Sequence, residues 1–152
     1  MAEFKNMLYP VALTAISPKV APYVVTLAKK LDAQVHLLHV LRRFDWFVDT
    51  YVPDTPEPDF KRIASDFEDK VLVQAEQKLE GFKKKHLKDI EIVKASVVSG
   101  THYRQILDYA KAEGIDFIIM GTGKRRQKMM FGSVYDTVSR VAKIAVMLIK
   151  YS

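Results

Sequence analysis

Residues 120–134 read Met120-Gly121-Thr122-Gly123-Lys124-Arg125-Arg126-Gln127-Lys128-Met129-Met130-Phe131-Gly132-Ser133-Val134. They lead from the end of an apolar strand, through a basic loop that contains glycines, into a Gly-Ser pair that begins a helix. Glycine lets backbone N–H groups approach an anion closely, and the first turn of a helix offers unpaired N–H donors and the positive end of its dipole. The stretch therefore predicts a strand, a phosphate-holding loop and a helix in an α/β fold.

A second interpretation of the same stretch stays open. The four cations within 124–128 could be a solvated basic loop. Gly121 and Gly123 could be turn glycines that only supply a positive φ. Gly132 and Ser133 could be only a helix start, with Ser133 as its cap.

Composition sets the class of protein. The chain has 152 residues, of which 49% are hydrophobic, and this predicts a single compact domain over 1–152. A formal charge of +6 favours anionic ligands without requiring nucleic acid. The sequence contains no cysteine, which excludes disulfides, thiolate metal sites and cysteine nucleophiles. No apolar run approaches the roughly 20 residues of a membrane span, and we expect a cytoplasmic protein without membrane association.

Apolar runs and helical patterns alternate along the chain. The apolar runs predict strands over 7–12, 35–41, 90–98, 115–120 and 145–149. Helical spacing predicts helices over 18–31, 63–82, 101–113 and 133–142, with Gly81 marking the end of the second. Strict alternation implies right-handed crossovers and a five-stranded parallel sheet with helices on both faces, which is a single-domain α/β fold.

Two segments carry side chains of undecided role. The segment 42–59 contains three prolines and is predicted to be an irregular loop, in which Trp46, Phe47 and Tyr51 could cover a ligand, a partner chain or the domain's own core. The run of lysines over 83–88 lacks interleaved aromatic residues, so it predicts a solvated helix end and not a nucleic-acid site.

The histidines do not suggest a metal site. His36 and His39 are three residues apart in a predicted strand, so they point to opposite faces and cannot share one metal ion. We expect both to be packed or at the surface. His102 stands at a predicted helix start, where it could contact a ligand or lie at the surface.

The whole chain resembles the universal stress protein family in length, element order and three local motifs. Its first strand, Met7-Leu8-Tyr9-Pro10-Val11-Ala12, is similar to the family's Ile-Leu-Val-Pro-Val-Asp. The stretch from Val98 to Ile106 resembles the family's turn after strand three, and residues 120–134 resemble its glycine loop. The resemblance implies a Rossmann-like fold of the adenine nucleotide alpha hydrolase type, with strand order 3-2-1-4-5.

The resemblance also implies a function. It suggests a stress-response protein that binds ATP or AMP, with Mg²⁺ accompanying ATP, and that acts by occupancy or dimer state. The residues that would form the site are Pro10, Ala12, Val40, Met120, Gly121, Gly123, Gly132, Ser133 and Val134, with Lys124 and Arg125 near the phosphates.

Two other functions remain open. The first is a nucleotide-free interaction module of the same family, whose basic loop docks an acidic protein partner. The second is slow ATP hydrolysis, against which Ser133 has no evident base partner in the sequence.

Two features differ from the ATP-binding members that the chain resembles. The interval from Gly121 to Gly132 is two residues shorter than in the family pattern, and Ala12 stands where those members carry an Asp that contacts the nucleoside. The loss of a hydrogen bond to a charged acceptor costs about 1.5–3 kcal/mol, which weakens binding roughly ten- to a hundredfold.

The last predicted strand, Ala145-Val146-Met147-Leu148-Ile149, is apolar, and the family's strand order places it at a sheet edge. An unprotected edge strand tends to pair with another chain. The resemblance therefore implies a homodimer joined through these strands.

Overall fold

The computed structural model describes residues 2–14, 17–42, 58–122 and 134–150, and the side chains of its long helix from Arg62 onward. Strands and helices alternate in these ranges. In chain order they are β1 (Asn6–Pro10), α1 (Ser17–Leu31), β2 (Gln34–Leu41), α2 (Pro58–His86), β3 (Ile92–Ser99), α3 (His102–Ala112), β4 (Phe117–Thr122), α4 (Val134–Val141) and β5 (Ala145–Lys150).

The five strands form one sheet in the order β3-β2-β1-β4-β5, and every neighbouring pair is parallel. This confirms the predicted fold class and strand order. The order reverses between β1 and β4, because the chain builds outward from β1 to β3 and then crosses to the other side of β1. At this point the connections that follow the two neighbouring strands β1 and β4 lead away in opposite directions.

Both faces of the sheet are buried, and successive residues of the central strands alternate between two cores. Met7 and Tyr9 of β1 face α1 and α2, while Leu8 between them faces α3 and α4. Both cores are almost entirely apolar, and all three of these side chains are at most 2% exposed. Continuous apolar strands are what a parallel sheet between two helical layers requires.

The prediction that Gly81 ends the second helix is wrong, because α2 continues to His86. Gly81 does not adopt the left-handed conformation of a helix-ending glycine. Phe82 and Leu87 on either side of the lysine run are buried, and lysine is itself a good helix former. This packing offsets the cost of a glycine inside a helix, about 1 kcal/mol.

The central strands also end at different residues from those predicted. β1 ends at Pro10 and not at residue 12, because Leu13 has the left-handed φ of 58° and turns the chain away from the sheet. β4 extends past Met120 to include Gly121 and Thr122, which pair with Ile149 and Lys150 of β5. Part of the predicted glycine loop is therefore strand.

β1 and β4 separate toward their carboxyl ends. Among the described residues their ladder consists of two pairs, Met7 with Phe117 and Leu8 with Ile118. Beyond Leu8, β1 stays paired with β2 through Pro10, and β4 stays paired with β5 through Thr122. The separation opens a cleft at the point where the strand order reverses.

Candidate functional site

A cavity of about 370 Å³ occupies this cleft. The carboxyl ends of β1, β2 and β4 form its base, and α1, α3 and α4 form its sides. Its lining residues are Tyr9, Pro10, Val11, Ala12, Thr14, Ser17, Val20, Leu38, His39, Val40, His102, Ile106, Met120, Gly121, Val134 and Tyr135. The volume lies within the range of roughly 300–1,000 Å³ that is usual for small-molecule sites.

The structure brings six of the predicted site residues together around this cavity. They are Pro10, Ala12, Val40, Met120, Gly121 and Val134. The other predicted residues, Gly123, Lys124, Arg125, Gly132 and Ser133, lie outside the described residues. So do Trp46, Phe47 and Tyr51 of the predicted aromatic cluster.

Three hydrogen bonds to backbone carbonyls position the residues around the cavity. Val11 N–H donates to the Leu38 carbonyl at 2.8 Å, which holds the end of β1 against β2. The buried Tyr9 hydroxyl donates to the Ser17 carbonyl at 3.0 Å and ties the same strand to the start of α1. Gly100 N–H donates to the Leu41 carbonyl at 2.9 Å, which places the first turn of α3 beside the end of β2.

Most of the described residues that line the cavity are apolar, and a few carry polar side chains. Val40 and Met120 are each 6% exposed and belong to the core that packs on α3. The polar side chains in the lining include those of Thr14, His39 and His102. Among the described residues that line it there is no Asp, Glu, Lys or Arg. The cavity is therefore suited to a largely apolar group with a few hydrogen-bonding positions.

His39 has a defined tautomer. Its Nδ1 lies 2.6 Å from the carbonyl oxygen of Val11. A carbonyl only accepts hydrogen bonds, so Nδ1 carries the proton. In the neutral ring the other nitrogen, Nε2, is then an acceptor.

His102 is the first residue of α3 and is half-buried in the cavity wall. Burial lowers the pKa of this imidazole, the positive charge of Arg42 and the nearby His39 lower it further, and a backbone hydrogen bond at Val40 acts in the opposite direction. The positive end of the α3 dipole also disfavours a cation at this position. These influences favour the neutral form of the His102 imidazole.

His102 and His39 both line the cavity. A ligand contact was one of two possibilities for His102, whereas His39 was expected only to be packed or at the surface. The signal for His39 was its place two residues before the end of a strand at the ligand-binding edge. His36 lies elsewhere, with its Nδ1 2.8 Å from the Tyr109 hydroxyl on the α3 face of the sheet, so the two strand histidines do face opposite sides.

The described residues contain no cluster of three or more His, Cys, Asp or Glu side chains that could hold a metal ion. Of the helices that the structure describes, none has a stretch apolar and long enough to cross a membrane.

The fold defines an α/β protein with a cavity at the point where a parallel sheet reverses its strand order. The profile of the Universal stress protein family matches residues 3–150. The chain therefore belongs to the universal stress protein family, as its motifs suggested.

Individual relatives agree with this assignment. A universal stress protein of Methanocaldococcus jannaschii is 27% identical over 155 residues, which cover 97% of this chain and 95% of that protein. The solved structure of the same archaeal protein superimposes with a TM-score of 0.79 at 23% identity, over 99% of both chains.

Two further solved structures contain nucleotides. A universal stress protein of Archaeoglobus fulgidus in complex with dAMP matches with a TM-score of 0.61 at 16% identity, over 99% of this chain and all of that one. A universal stress protein in complex with cAMP matches with a TM-score of 0.62 at 14% identity, over the same shares. At these identities the likeness shows a common fold.

Proposed function

We propose that this chain binds an adenine nucleotide, AMP or ATP, in the cavity at the reversal point of the sheet. The observation that carries the proposal is the convergence of six residues, predicted as a nucleotide site from sequence, on this one cavity. They come from four separate elements or their flanking residues, from Pro10 to Val134. The dAMP and cAMP complexes of proteins with the same fold support the choice of ligand.

The two ends of the cavity suit different parts of a nucleotide. Val134 begins α4 and lines the cavity, so the first turn of a helix adjoins the cavity at the end of β4. Helix N-termini favour phosphate, and the basic segment 124–128 precedes this helix in sequence. The β2 side carries Val40, His39 and His102. We therefore assign phosphates to the β4–α4 side and the nucleoside to the β2–α3 side.

The residues described around the cavity fit a nucleotide better than they fit a resident metal ion. Without a carboxylate in that lining, Mg²⁺ would depend on the phosphates of ATP and on water for its ligands, which is common for this ion. Hydrolysis stays at most a slow side reaction in this proposal. The biological role that we infer is a cytoplasmic stress response in which occupancy of the site, or association through β5, is the signal.

The proposal is tested by nucleotide content and by titration. Purified protein is denatured, the released small molecules are identified by mass spectrometry, and the nucleotide-free protein is titrated with AMP and with ATP in the presence of Mg²⁺. We expect saturable binding. Failure of both nucleotides to bind at millimolar concentration would overturn the proposal.

A pair of variants locates the site. Ala12 is an exposed residue that lines the cavity, so Ala12→Trp should obstruct the cavity and weaken binding at least tenfold. Ala112 is an exposed alanine at the C-terminal end of α3, away from the cavity lining, and Ala112→Trp is the matched control that should bind like the wild type. Equal affinity of the two variants would place the nucleotide elsewhere.

The nucleotide-free alternative makes a contrasting prediction. If the basic loop instead docks an acidic protein, replacing Lys124, Arg125 and Arg126 with Ala should abolish association with that partner while the cavity stays empty. This alternative rests on the sequence of a segment outside the described residues, whereas the nucleotide proposal also has the cavity in its support.

A further inference from the structure

A groove of about 340 Å³ lies between the end of α2 and the start of β3. The strands are parallel and β3 begins here, so the groove is at the edge of the sheet opposite the carboxyl edge that holds the cavity. Three lysines and three apolar side chains line it: Lys83, Lys84, Leu87, Lys88, Ile90 and Ile92. The lysine run is therefore one wall of a groove and not only a solvated helix end.

Backbone hydrogen bonds and packing hold the groove in shape. Leu87 N–H donates to the Lys83 carbonyl at 3.0 Å, and Ile90 N–H donates to the Leu87 carbonyl at 3.4 Å. The Leu87 side chain is 1% exposed, and the ring of His86 packs against Phe82 with 4.9 Å between their centroids. A surface that is ordered before its ligand arrives loses less conformational entropy on binding.

The positive charge of this groove is largely unpaired within the described part of the chain. Lys83 Nζ lies 3.1 Å from a carboxylate oxygen of Glu80. No described carboxylate forms an ion pair with Lys84 or Lys88, or with the neighbouring Lys85. The negative end of the α2 dipole lowers the cost of holding these cations together. The groove thus presents positive charge next to apolar surface.

The surroundings of the groove favour a narrow ligand. Asp32, Asp89 and Glu91 are exposed and line a second cavity beside it, with Ile90 common to both. A flat anionic membrane would meet these carboxylates as well as the lysines and be repelled by them, whereas a narrow chain in the groove meets the lysines alone. The described lining of the groove offers no aromatic side chain on which nucleic-acid bases could stack. An acidic peptide segment satisfies these constraints.

We propose that this groove is a docking site for an extended acidic segment of another protein. Carboxylates of the segment pair with the three groove lysines, and an apolar side chain of the segment contacts Ile90 and Ile92. Such docking uses neither the cavity nor the basic segment 124–128, and it is independent of the proposed nucleotide function.

The probe is a fluorescein-labelled peptide of about nine residues that repeats Glu-Glu-Leu, and its binding to the full chain is followed by fluorescence anisotropy. We expect saturable binding whose Kd rises at least about tenfold between about 50 mM and about 300 mM NaCl, because salt screens exposed charge pairs. A peptide with Gln in place of Glu should not bind. One with Gly in place of Leu should bind at least about threefold more weakly, because the burial of the Leu side chain is lost. Absence of saturable binding of the Glu-Glu-Leu peptide at millimolar concentration would overturn the proposal.

Two variants of equal net charge assign the binding to the groove. Replacement of its three lysines with Gln removes the cations that pair with the peptide and should raise the Kd at least about tenfold. The matched control replaces three exposed lysines outside the groove with Gln, and it should change the Kd less than about threefold. These control positions are Lys70, Lys111 and Lys143. Equal weakening in the two variants would show that only the net charge of the protein attracts the peptide, which contradicts docking in the groove.

Charge reversal gives a second readout. Lys84→Glu combined with Lys88→Glu should lose the acidic peptide and gain binding of a peptide that repeats Lys-Lys-Leu. A loss of folding could not create this new affinity. Failure of the folded double variant to bind the basic peptide would refute the proposed contacts.

Two further measurements separate the groove from other binding surfaces. Saturating AMP should leave peptide binding unchanged, because AMP is assigned to the opposite edge of the sheet. Displacement of the peptide by AMP would place the peptide in the cavity and overturn the proposal. Binding to vesicles that contain phosphatidylserine, without binding to the peptide, would overturn it in favour of a membrane surface. None of these results decides whether the cavity holds a nucleotide, so the two proposals fail independently.

Discussion

Ala12 offers a gain-of-function test of the nucleotide site. This residue lines the cavity, is exposed, and stands where the ATP-binding relatives that the chain resembles carry an Asp toward the nucleoside. The Ala12→Asp variant should restore a hydrogen bond from a ribose hydroxyl to a carboxylate. Such a bond contributes about 1.5–3 kcal/mol, which is roughly a 10- to 150-fold gain in affinity for adenosine.

The gain for AMP should be smaller, because the new carboxylate also repels the phosphate. At a separation of ~8 Å, about one Debye length at physiological ionic strength, screening reduces the repulsion of two unit charges in water from about 0.5 to roughly 0.2 kcal/mol. The dielectric constant of water is appropriate because Ala12 is exposed. A nearly dianionic phosphate then loses about 0.4 kcal/mol, so AMP should gain only about 6- to 80-fold.

Calorimetric titration of adenosine and AMP against wild type, Ala12→Asp and Ala12→Asn measures both the gain from the hydrogen bond and the loss from phosphate repulsion. The Asn variant adds a neutral hydrogen-bonding group, so it should improve both ligands modestly and equally, by roughly 2- to 10-fold. Unchanged or weaker adenosine binding by Ala12→Asp would refute the placement of the sugar beside Ala12. Equal gains for adenosine and AMP would refute the electrostatic part of the argument.

Three further predictions concern the rest of the molecule. Gly100 has a φ of 145°, and an added Cβ would lie 2.7 Å from Nε2 of Gln105, so Gly100→Ala should destabilise the fold by about 1–2 kcal/mol and lower the thermal midpoint by roughly 2–8 °C. The control is Gly81→Ala, where nothing lies within 4 Å of the added Cβ and a gain of about 0.5–1 kcal/mol is expected; an equal response of the two variants in calorimetric melts would contradict the assignment. Burial lowers the pKa of His36 below its unfolded value of 6.5, so its contribution to stability is present above pH 6.5 and is lost as the pH falls through the folded pKa. The midpoint of His36→Asn should accordingly fall less between pH 7.5 and 5 than that of the wild type, and parallel curves would show that His36 is not responsible. Met147 on β5 is 41% exposed. If copies of the chain pair through this edge, Met147→Lys should shift the sedimentation velocity toward that of a monomer, while Met147→Leu should not. A monomeric wild type would exclude the predicted dimer.

The sequence predicted the parallel sheet because its signal is strong and repeated. The central strands β1, β2 and β4 are nearly continuous apolar runs, since both of their faces are covered, and the helices show the spacing of a single buried face. Strand order could not be worked out from those patterns alone, and came from the family resemblance. At Gly81, the tendency of glycine to end a helix is outweighed by packing, because the neighbouring Phe82 is buried.

The site was predictable where it depended on the backbone and less so where it depended on side chains. Pro10, Met120 and Gly121 follow from the positions of strand ends, which a sequence pattern can locate. The tautomer of His39 depends on a 2.6 Å contact with Val11, 28 residues away in the chain. No local pattern specifies such a pair, because it arises only when β1 and β2 are placed side by side.

The extension of β4 through Gly121 and Thr122 gives the cavity and the sheet edge a common element. Gly121 lines the cavity and also pairs with Ile149 of β5, the outermost strand on that side of the described sheet. A chain that adds a strand beside β5 would lie only two strands from the cavity wall. Thermodynamic linkage then sets the relation between the two events: if association through β5 changes the affinity for ligand by some factor, ligand changes the association constant by the same factor. Ligand affinity measured as a function of association, or association measured as a function of ligand concentration, therefore gives the coupling free energy across the β4–β5 strand pair.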